Sequence, residues 1–148
     1  MIFTNLASNL YMSNLLKRIV LADDDDDDIN LFKEAANELC PGIELMVVDD
    51  GRKLMSLLKE VPKPDAIVLD LNMPAKSGKE CLVELRNNPE FDSVKIFILS
   101  TSGNKSDINY CLDNGANYYF TKPPLYAETL KIVGDICNPS FATFSNRA

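Results

Sequence analysis

The chain alternates between two hydrophobic patterns from residue 17 to residue 137. Five short stretches are almost continuously apolar, and each ends at a turn-forming or acidic residue. Continuous apolar runs, rather than alternating ones, are typical of strands that are covered on both faces, as in parallel sheets. The predicted strands are residues 17–22, 43–48, 65–69, 94–99 and 117–120.

Each predicted strand is followed by a segment with helical periodicity. In the first such segment, Ile29, Phe32, Ala36 and Leu39 recur at the spacing of one helix face. Four similar segments follow, so that five β units and five α units alternate strictly. Right-handed crossovers then predict an α/β fold with a doubly wound parallel sheet of five strands and helices on both faces.

The charged residues and the absence of histidine exclude several classes of function for such a fold. The 148 residues carry 15 basic and 22 acidic side chains, a net charge of −7. Six of the acids form one run of aspartates at residues 23–28, and no basic run exists, which argues against nucleic acid or an anionic membrane as a partner. The chain has no histidine, which excludes Ser–His–Asp catalysis, histidine-ligated metals and phosphohistidine carriers.

The cysteines and the chain ends indicate the redox environment and the bounds of the domain. No pair of the four cysteines has CxxC spacing, so we expect free, buried thiols in a reducing cytoplasm. The apolar runs are too short to span a bilayer. We predict one domain at residues 16–137, a disordered N-terminal extension at residues 1–15 with Met12 as an alternative start, and a tail at residues 138–148.

Polar side chains follow four of the predicted strands. Asp23 and Asp24 follow the first strand, Asp70 the third, Ser100 the fourth and Lys122 the fifth. Because the carboxyl ends of parallel strands meet at one edge of a sheet, these groups are expected to converge there. Carboxylate oxygens without His or Cys suit Mg²⁺, and a hydroxyl and an ammonium beside the metal suit the oxygens of a phosphoryl group.

The rest of the acidic run has a plainer interpretation. A tract of this kind is usually solvated, and Asp also caps helix N-termini. Residues 25–28 are therefore expected to face solvent, with Asp26 or Asp27 as the cap of the first helix.

These residues resemble the response-regulator receiver domain of two-component signalling, including its stand-alone members that are similar to chemotaxis regulators. The order and spacing of the segments match the family as well as their residue types. The segments that carry the resemblance are RIVLADD at 18–24, PDAIVLDLNMP at 64–74, ILST at 98–101, GA at 115–116 and FTKP at 120–123. The resemblance implies a flavodoxin-like sheet with strand order 2-1-3-4-5.

The resemblance also implies a role for each site residue. Asp70 is the expected phosphoacceptor. Asp24, Asp70 and the backbone carbonyl of Asn72 are expected to ligate Mg²⁺ directly, and Asp23 is expected to act largely through metal-bound water.

The remaining implied roles concern the phosphoryl group and the response to it. Lys122 is expected to pair with the phosphoryl oxygens, and Ser100 to hydrogen-bond to them. Tyr119 matches the aromatic switch position that turns inward when Ser100 moves. A cis peptide bond is expected before Pro123.

The resemblance finally implies a stand-alone phosphoacceptor rather than an enzyme, although one that promotes its own Mg²⁺-dependent phosphorylation and dephosphorylation. The expected partners are a sensor histidine kinase or a histidine phosphotransfer protein, and a downstream protein, with no nucleic acid and no membrane. The implied output is a phosphorelay that switches a protein-binding surface in the cytoplasm.

Two other functions remain open from the residues alone. A phosphatase of the haloacid-dehalogenase type also uses an aspartyl nucleophile, but it needs a second Asp two positions later, where this chain has Asn72. A pseudo-receiver would use the same fold only as a protein-binding module. Mg²⁺-dependent phosphorylation separates the pseudo-receiver from the working receiver.

Overall fold

The five apolar runs pair into one parallel sheet with the order β2-β1-β3-β4-β5. The computed structural model describes residues 16–141, so the predictions for residues 1–15 and 142–148 lie outside the described residues. The strand order and the fold class are as predicted, with strand ends moved by about one residue. The strands are β1 (Arg18–Ala22), β2 (Glu44–Val48), β3 (Ala66–Leu69), β4 (Lys95–Ser100) and β5 (Tyr118–Thr121).

Four α-helices connect the five strands, a fifth follows β5, and a 3₁₀ turn at Pro89–Phe91 precedes β4. The helices are α1 (Asp26–Leu39), α2 (Gly51–Glu60), α3 (Gly78–Arg86), α4 (Lys105–Asp113) and α5 (Tyr126–Cys137). Side-chain caps begin α2 and α3: Asp50 caps α2, and Ser77 with Glu80 forms a capping box at the start of α3.

The cap of α1 differs from the prediction. Asp25, and not Asp26 or Asp27, is the N-cap, because its side chain accepts a hydrogen bond from the backbone N–H of Asp28. Asp26 and Asp27 lie within the first helical turn, where their charges still favour the positive end of the helix dipole.

Alternate residues of each central strand point into two apolar layers. Val20, Ile67 and Ile98 face the layer covered by α2, α3 and α4. Leu21 and Val68 face the layer covered by α1 and α5. Fully burying one side chain of this kind contributes about 1.5–3 kcal/mol. Both faces of the sheet are therefore covered, as the continuous apolar runs predicted.

The cysteines and the end of the described chain belong to these layers. All four cysteines are free and buried, as expected, and burial raises the pKa of the Cys81 and Cys111 thiols to about 11. Beyond α5, the Phe141 ring packs 5.0 Å from Tyr118 and 5.8 Å from Phe120, measured between ring centroids. Within residues 16–141, none of the helices has the length and apolarity needed to cross a membrane.

Backbone hydrogen bonds extend the sheet by one residue past several strands and fix the starts of the loops. The N–H of Asp70 donates to Ala22 O at 2.9 Å, and the N–H of Lys122 donates to Ser100 O at 2.7 Å. The predicted site residues therefore leave the sheet from rigid positions on neighbouring strands.

Gly78 closes the loop that follows β3. Its N–H donates to Leu71 O at 2.9 Å. A Cβ atom placed on Gly78 would lie 2.1 Å from the carbonyl oxygen of Asp70, closer than any real contact. Glycine is therefore required here for the close approach of α3 to the loop that carries Asp70.

Replacing Gly78 with alanine is expected to lower the free energy of unfolding by about 1–3 kcal/mol, the usual cost of overpacking. Urea unfolding followed by circular dichroism measures this change. Gly103→Ala is the matched control, because nothing lies within 4 Å of a Cβ at that position. Equal stability of the two variants would contradict the steric argument.

Candidate functional site

The ammonium group of Lys122 lies at the centre of the site. Its Nζ atom is 2.8 Å from Asp23 Oδ2, 2.7 Å from Asp28 Oδ2 and 3.1 Å from Asp70 Oδ2. Only 10% of the Lys122 side chain is exposed, against 3% for Asp23 and 8% for Asp70. An ammonium has three N–H donors, so each of them has a carboxylate partner.

The charges of the cluster change the pKa values of two of its members. Burial alone would lower the pKa of Lys122, but hydrogen bonds with Asp23 and Asp28 and the charge of Asp70 outweigh it, so the pKa is raised. Burial raises the pKa of Asp23, and its hydrogen bonds with Lys122 and with the N–H of Asp25 only partly offset that effect. The lysine is thus held in its charged form among the acids.

Three predicted metal ligands lie close together beside this ammonium. One carboxylate oxygen from each of Asp23, Asp24 and Asp70 lies within 4.8 Å of the other two. Asp23 and Asp70 are buried, whereas Asp24 is exposed at the mouth of the site. A set of carboxylate oxygens that is partly open to water fits a hard divalent cation, which keeps several waters when it binds.

Asn72 lies on the same loop, two residues after Asp70, and is exposed. Within residues 16–141, its backbone carbonyl has no hydrogen-bond partner. The oxygen that the sequence analysis assigned to the metal is therefore not occupied by another contact.

The hydroxyl and the aromatic residue predicted for the switch also lie close to each other. Ser100 is fully buried at the end of β4, and Tyr119 on β5 is 8% exposed. The Tyr119 hydroxyl donates to the carbonyl oxygen of Ser102 at 2.7 Å. Burial raises the pKa of Tyr119, and contacts with Ser100 and Ser102 partly offset this effect. Tyr119 thus has its ring turned inward in this structure.

Three residues that were not singled out from the sequence link this loop to α3 and α4. The Ser102 hydroxyl donates to Asp107 Oδ2 at 2.6 Å, and Lys79 Nζ lies 2.6 Å from Asp107 Oδ1. Their spacing in the sequence carries no signal, because Lys79 on α3 and Asp107 on α4 meet only through the fold.

The structure corrects the prediction that Asp28 faces solvent. The acidic run at residues 25–28 was expected to be solvated, but the Asp28 side chain is one-third exposed and pairs with Lys122. A sequence signal for this position does exist: Asp28 lies one helical turn before the buried Phe32, so its side chain lies near the inner face of α1.

The expected cis peptide bond before Pro123 is not found. All peptide bonds of the described residues are trans, whereas the resemblance implied a cis bond at Lys122–Pro123. The trans isomer is the lower-energy form of an X–Pro bond, and with it Lys122 already contacts Asp23 and Asp70.

The fold and the site together define a class of protein. It is a doubly wound α/β domain with an acidic pocket at the carboxyl edge of its sheet, where a lysine contacts a buried aspartate at the end of β3. Such a site combines a candidate carboxylate nucleophile, candidate ligands for a divalent cation and a fixed positive charge.

Comparisons with known proteins agree with this class. The family model described as "Response regulator receiver domain" matches residues 19–133. Response regulator Rcp1 of Synechocystis sp. is 32% identical over 130 residues, which cover 84% of this chain and 88% of Rcp1. Transcriptional regulatory protein CpxR of Klebsiella pneumoniae is 32% identical over 73% of this chain, but only 44% of CpxR is covered.

Two solved structures are similar throughout the domain. The phosphorylated cyanobacterial phytochrome response regulator RcpA has a TM-score of 0.77 and 35% identity, covering 82% of this chain and 91% of RcpA. The Mn²⁺-bound form of response regulator Rcp1 has a TM-score of 0.77 and 30% identity, covering 89% of this chain and 99% of Rcp1. The chain belongs to the response regulator receiver domain family.

A divalent cation is expected to stabilise the protein, because it relieves the repulsion among Asp23, Asp24 and Asp70 and binds only the folded site. At a Mg²⁺ concentration of about 100 times the Kd, the free energy of unfolding should rise by about 2.7 kcal/mol. Asp24→Ala should lose most of this gain, and Asp27→Ala, an exposed acid of the same run, should keep it. Urea unfolding with and without Mg²⁺ measures the effect, and an equal gain in both variants would contradict the assignment.

Proposed function

We propose that this protein is a stand-alone response regulator that accepts a phosphoryl group on Asp70. The donor is the phosphohistidine of a sensor kinase or of a histidine phosphotransfer protein. An Asp70 carboxylate oxygen attacks the phosphorus of a phosphohistidine whose ring is protonated on its other nitrogen. The P–N bond breaks with its electron pair returning to the ring nitrogen, and the ring leaves as neutral imidazole. The product is an acyl phosphate.

The carboxylates of Asp23, Asp24 and Asp70 and the carbonyl of Asn72 would hold Mg²⁺. When bound, the cation would neutralise charge on the phosphoryl oxygens. Support comes from the clustered oxygens, from the free Asn72 carbonyl and from the Mn²⁺-bound form of the similar protein Rcp1. In the exposed position of Asp24, the carboxylate would leave part of the coordination shell to water.

Lys122 supplies the fixed positive charge of the reaction. Its Nζ atom lies 3.1 Å from the Asp70 oxygen in the resting site. A short movement of the same ammonium would let it donate to an oxygen of the phosphoryl group on that carboxylate. Because burial and three acidic partners hold the ammonium beside Asp70, a positive charge is already in place when negative charge arrives.

Ser100 and Tyr119 would respond to phosphorylation of Asp70 and change the surface of the domain. Ser100 lies at the end of β4, and its hydroxyl would donate to the phosphoryl group. Tyr119, on the neighbouring strand β5, is paired with Ile98, and its side chain contacts Ser100. Because Tyr119 is hydrogen-bonded to Ser102, a shift of the loop after β4 would change the population of its inward rotamer. The surface of α4, β5 and α5 would then present a different face to a downstream protein.

The same function implies a phosphoryl donor as partner and a cytoplasmic location. A kinase or phosphotransfer protein would dock at the carboxyl edge of the sheet, and no nucleic acid or membrane is involved. The four free thiols suit a reducing compartment, which supports a cytoplasmic location. Like the family it belongs to, the protein would promote its own phosphorylation and dephosphorylation rather than turn over a substrate.

The observation that carries the proposal is the position of Asp70. Its carboxylate is buried, yet it contacts the ammonium of Lys122 and lies among the candidate metal ligands. A purely structural aspartate at a strand end would need neither group. The phosphorylated state of the similar protein RcpA supports the same interpretation.

Acetyl phosphate with Mg²⁺ should add one phosphoryl group to the protein, with acetate as the leaving group. Intact-protein mass spectrometry should detect this adduct in the wild type and lose it in Asp70→Asn or without the metal. Asp65→Asn is the matched control, since Asp65 precedes the same strand at its other end, and it should be phosphorylated normally. The absence of any adduct at the earliest time points would favour a protein-binding module without phosphoryl chemistry.

A further inference from the structure

Asp28 is the one member of the Lys122 cluster for which the proposed function gives no role. It is not among the clustered candidate metal ligands, and it lies on the first turn of α1 rather than at the end of a strand. Its Oδ2 atom nevertheless makes the shortest of the three contacts to Lys122 Nζ, at 2.7 Å.

The position of Asp28 is fixed by the helix and not by the lysine. Its backbone N–H donates to the capping side chain of Asp25 at 3.0 Å, and Phe32, one turn later, is buried beneath α1. Next to the pair lies a cavity of about 30 Å³, with Phe32, Leu99 and Val133 among its lining residues.

All three donors of the Lys122 ammonium are in use in the resting site. A phosphoryl group on Asp70 replaces the one carboxylate oxygen that the ammonium contacts there with three phosphoryl oxygens. To donate to more than one of these oxygens, the ammonium has to give up Asp23 or Asp28. Asp23 is almost fully buried and cannot exchange its partner for water. Asp28 is one-third exposed, so its carboxylate can be solvated when the ammonium leaves.

We propose that Asp28 is a positioning residue that competes with the phosphoryl group for Lys122 and thereby slows the loading of Asp70. The inference rests on the proposed function. In the wild type, each phosphorylation event breaks the contact between Asp28 and Lys122. Without the Asp28 carboxylate, Lys122 remains beside Asp70 through its contact with Asp23. One N–H donor of the ammonium is then free before the phosphoryl group arrives.

Asp28→Asn is therefore expected to be phosphorylated by acetyl phosphate faster than the wild type, by roughly two- to five-fold, as for a partly exposed ion pair. The backbone hydrogen bond to Asp25 is retained in this variant. Asp27→Asn is the matched control: it removes the same charge from the same turn, and Asp27 is exposed without an ion pair among the described residues. The initial rate is measured by intact-protein mass spectrometry at saturating Mg²⁺.

A second comparison separates competition from a general change in the helix. In the Lys122→Met background, Asp28→Asn and Asp27→Asn should have the same rate, because no ammonium remains to compete for. A purely structural role of Asp28 would leave the difference between the two variants unchanged in that background.

The outcomes distinguish this inference from the proposed function. If the wild type and all variants fail to form an adduct, the proposed function fails and this inference fails with it. If adducts form but Asp28→Asn is no faster than Asp27→Asn, or is slower, only the competition is overturned. A slower reaction would mean that Asp28 holds Lys122 in place for the reaction.

Discussion

One ammonium group holds together carboxylates that would otherwise repel one another. Lys122 contacts Asp23, Asp28 and Asp70 at 2.7–3.1 Å, and most of this contact is shielded from solvent. Removing one partner from a buried ion pair generally costs about 3–5 kcal/mol, because the remaining charge loses its compensation. A single positive charge still leaves the cluster negative, which favours the binding of a cation, and under the proposed function the lysine binds the oxygens of a phosphoryl group.

The fold makes this arrangement possible by fixing each charge from a different direction. Asp23 and Asp70 leave neighbouring central strands, Lys122 leaves the edge strand β5, and Asp28 approaches on α1. Apolar layers on both faces of the sheet anchor these elements, and Gly78 lets α3 approach the loop that carries Asp70. Hydrogen bonds of Ser102 with Asp107 and Tyr119 join the loop after β4 to α4 and β5.

Much of this could be predicted from the sequence, because the strongest signals are local. The continuous apolar runs predicted the parallel sheet, and the polar residues that follow them predicted the edge at which Asp70 and Lys122 meet. Asp28 was missed because a run of aspartates hides which member faces inward, and only the packing of α1 decides that. The contact between Lys79 and Asp107 was beyond prediction, since it depends on how two helices are placed on the sheet.

The central claim is that the carboxylate of Asp70, and no other acid of the cluster, carries the phosphoryl group. The most direct measurement is borohydride reduction of the acetyl phosphate-treated protein, which converts an aspartyl phosphate into homoserine, followed by peptide mapping by mass spectrometry. Homoserine is expected at position 70 only. Homoserine at position 23, 24 or 28, with Asp70 unchanged, would contradict it.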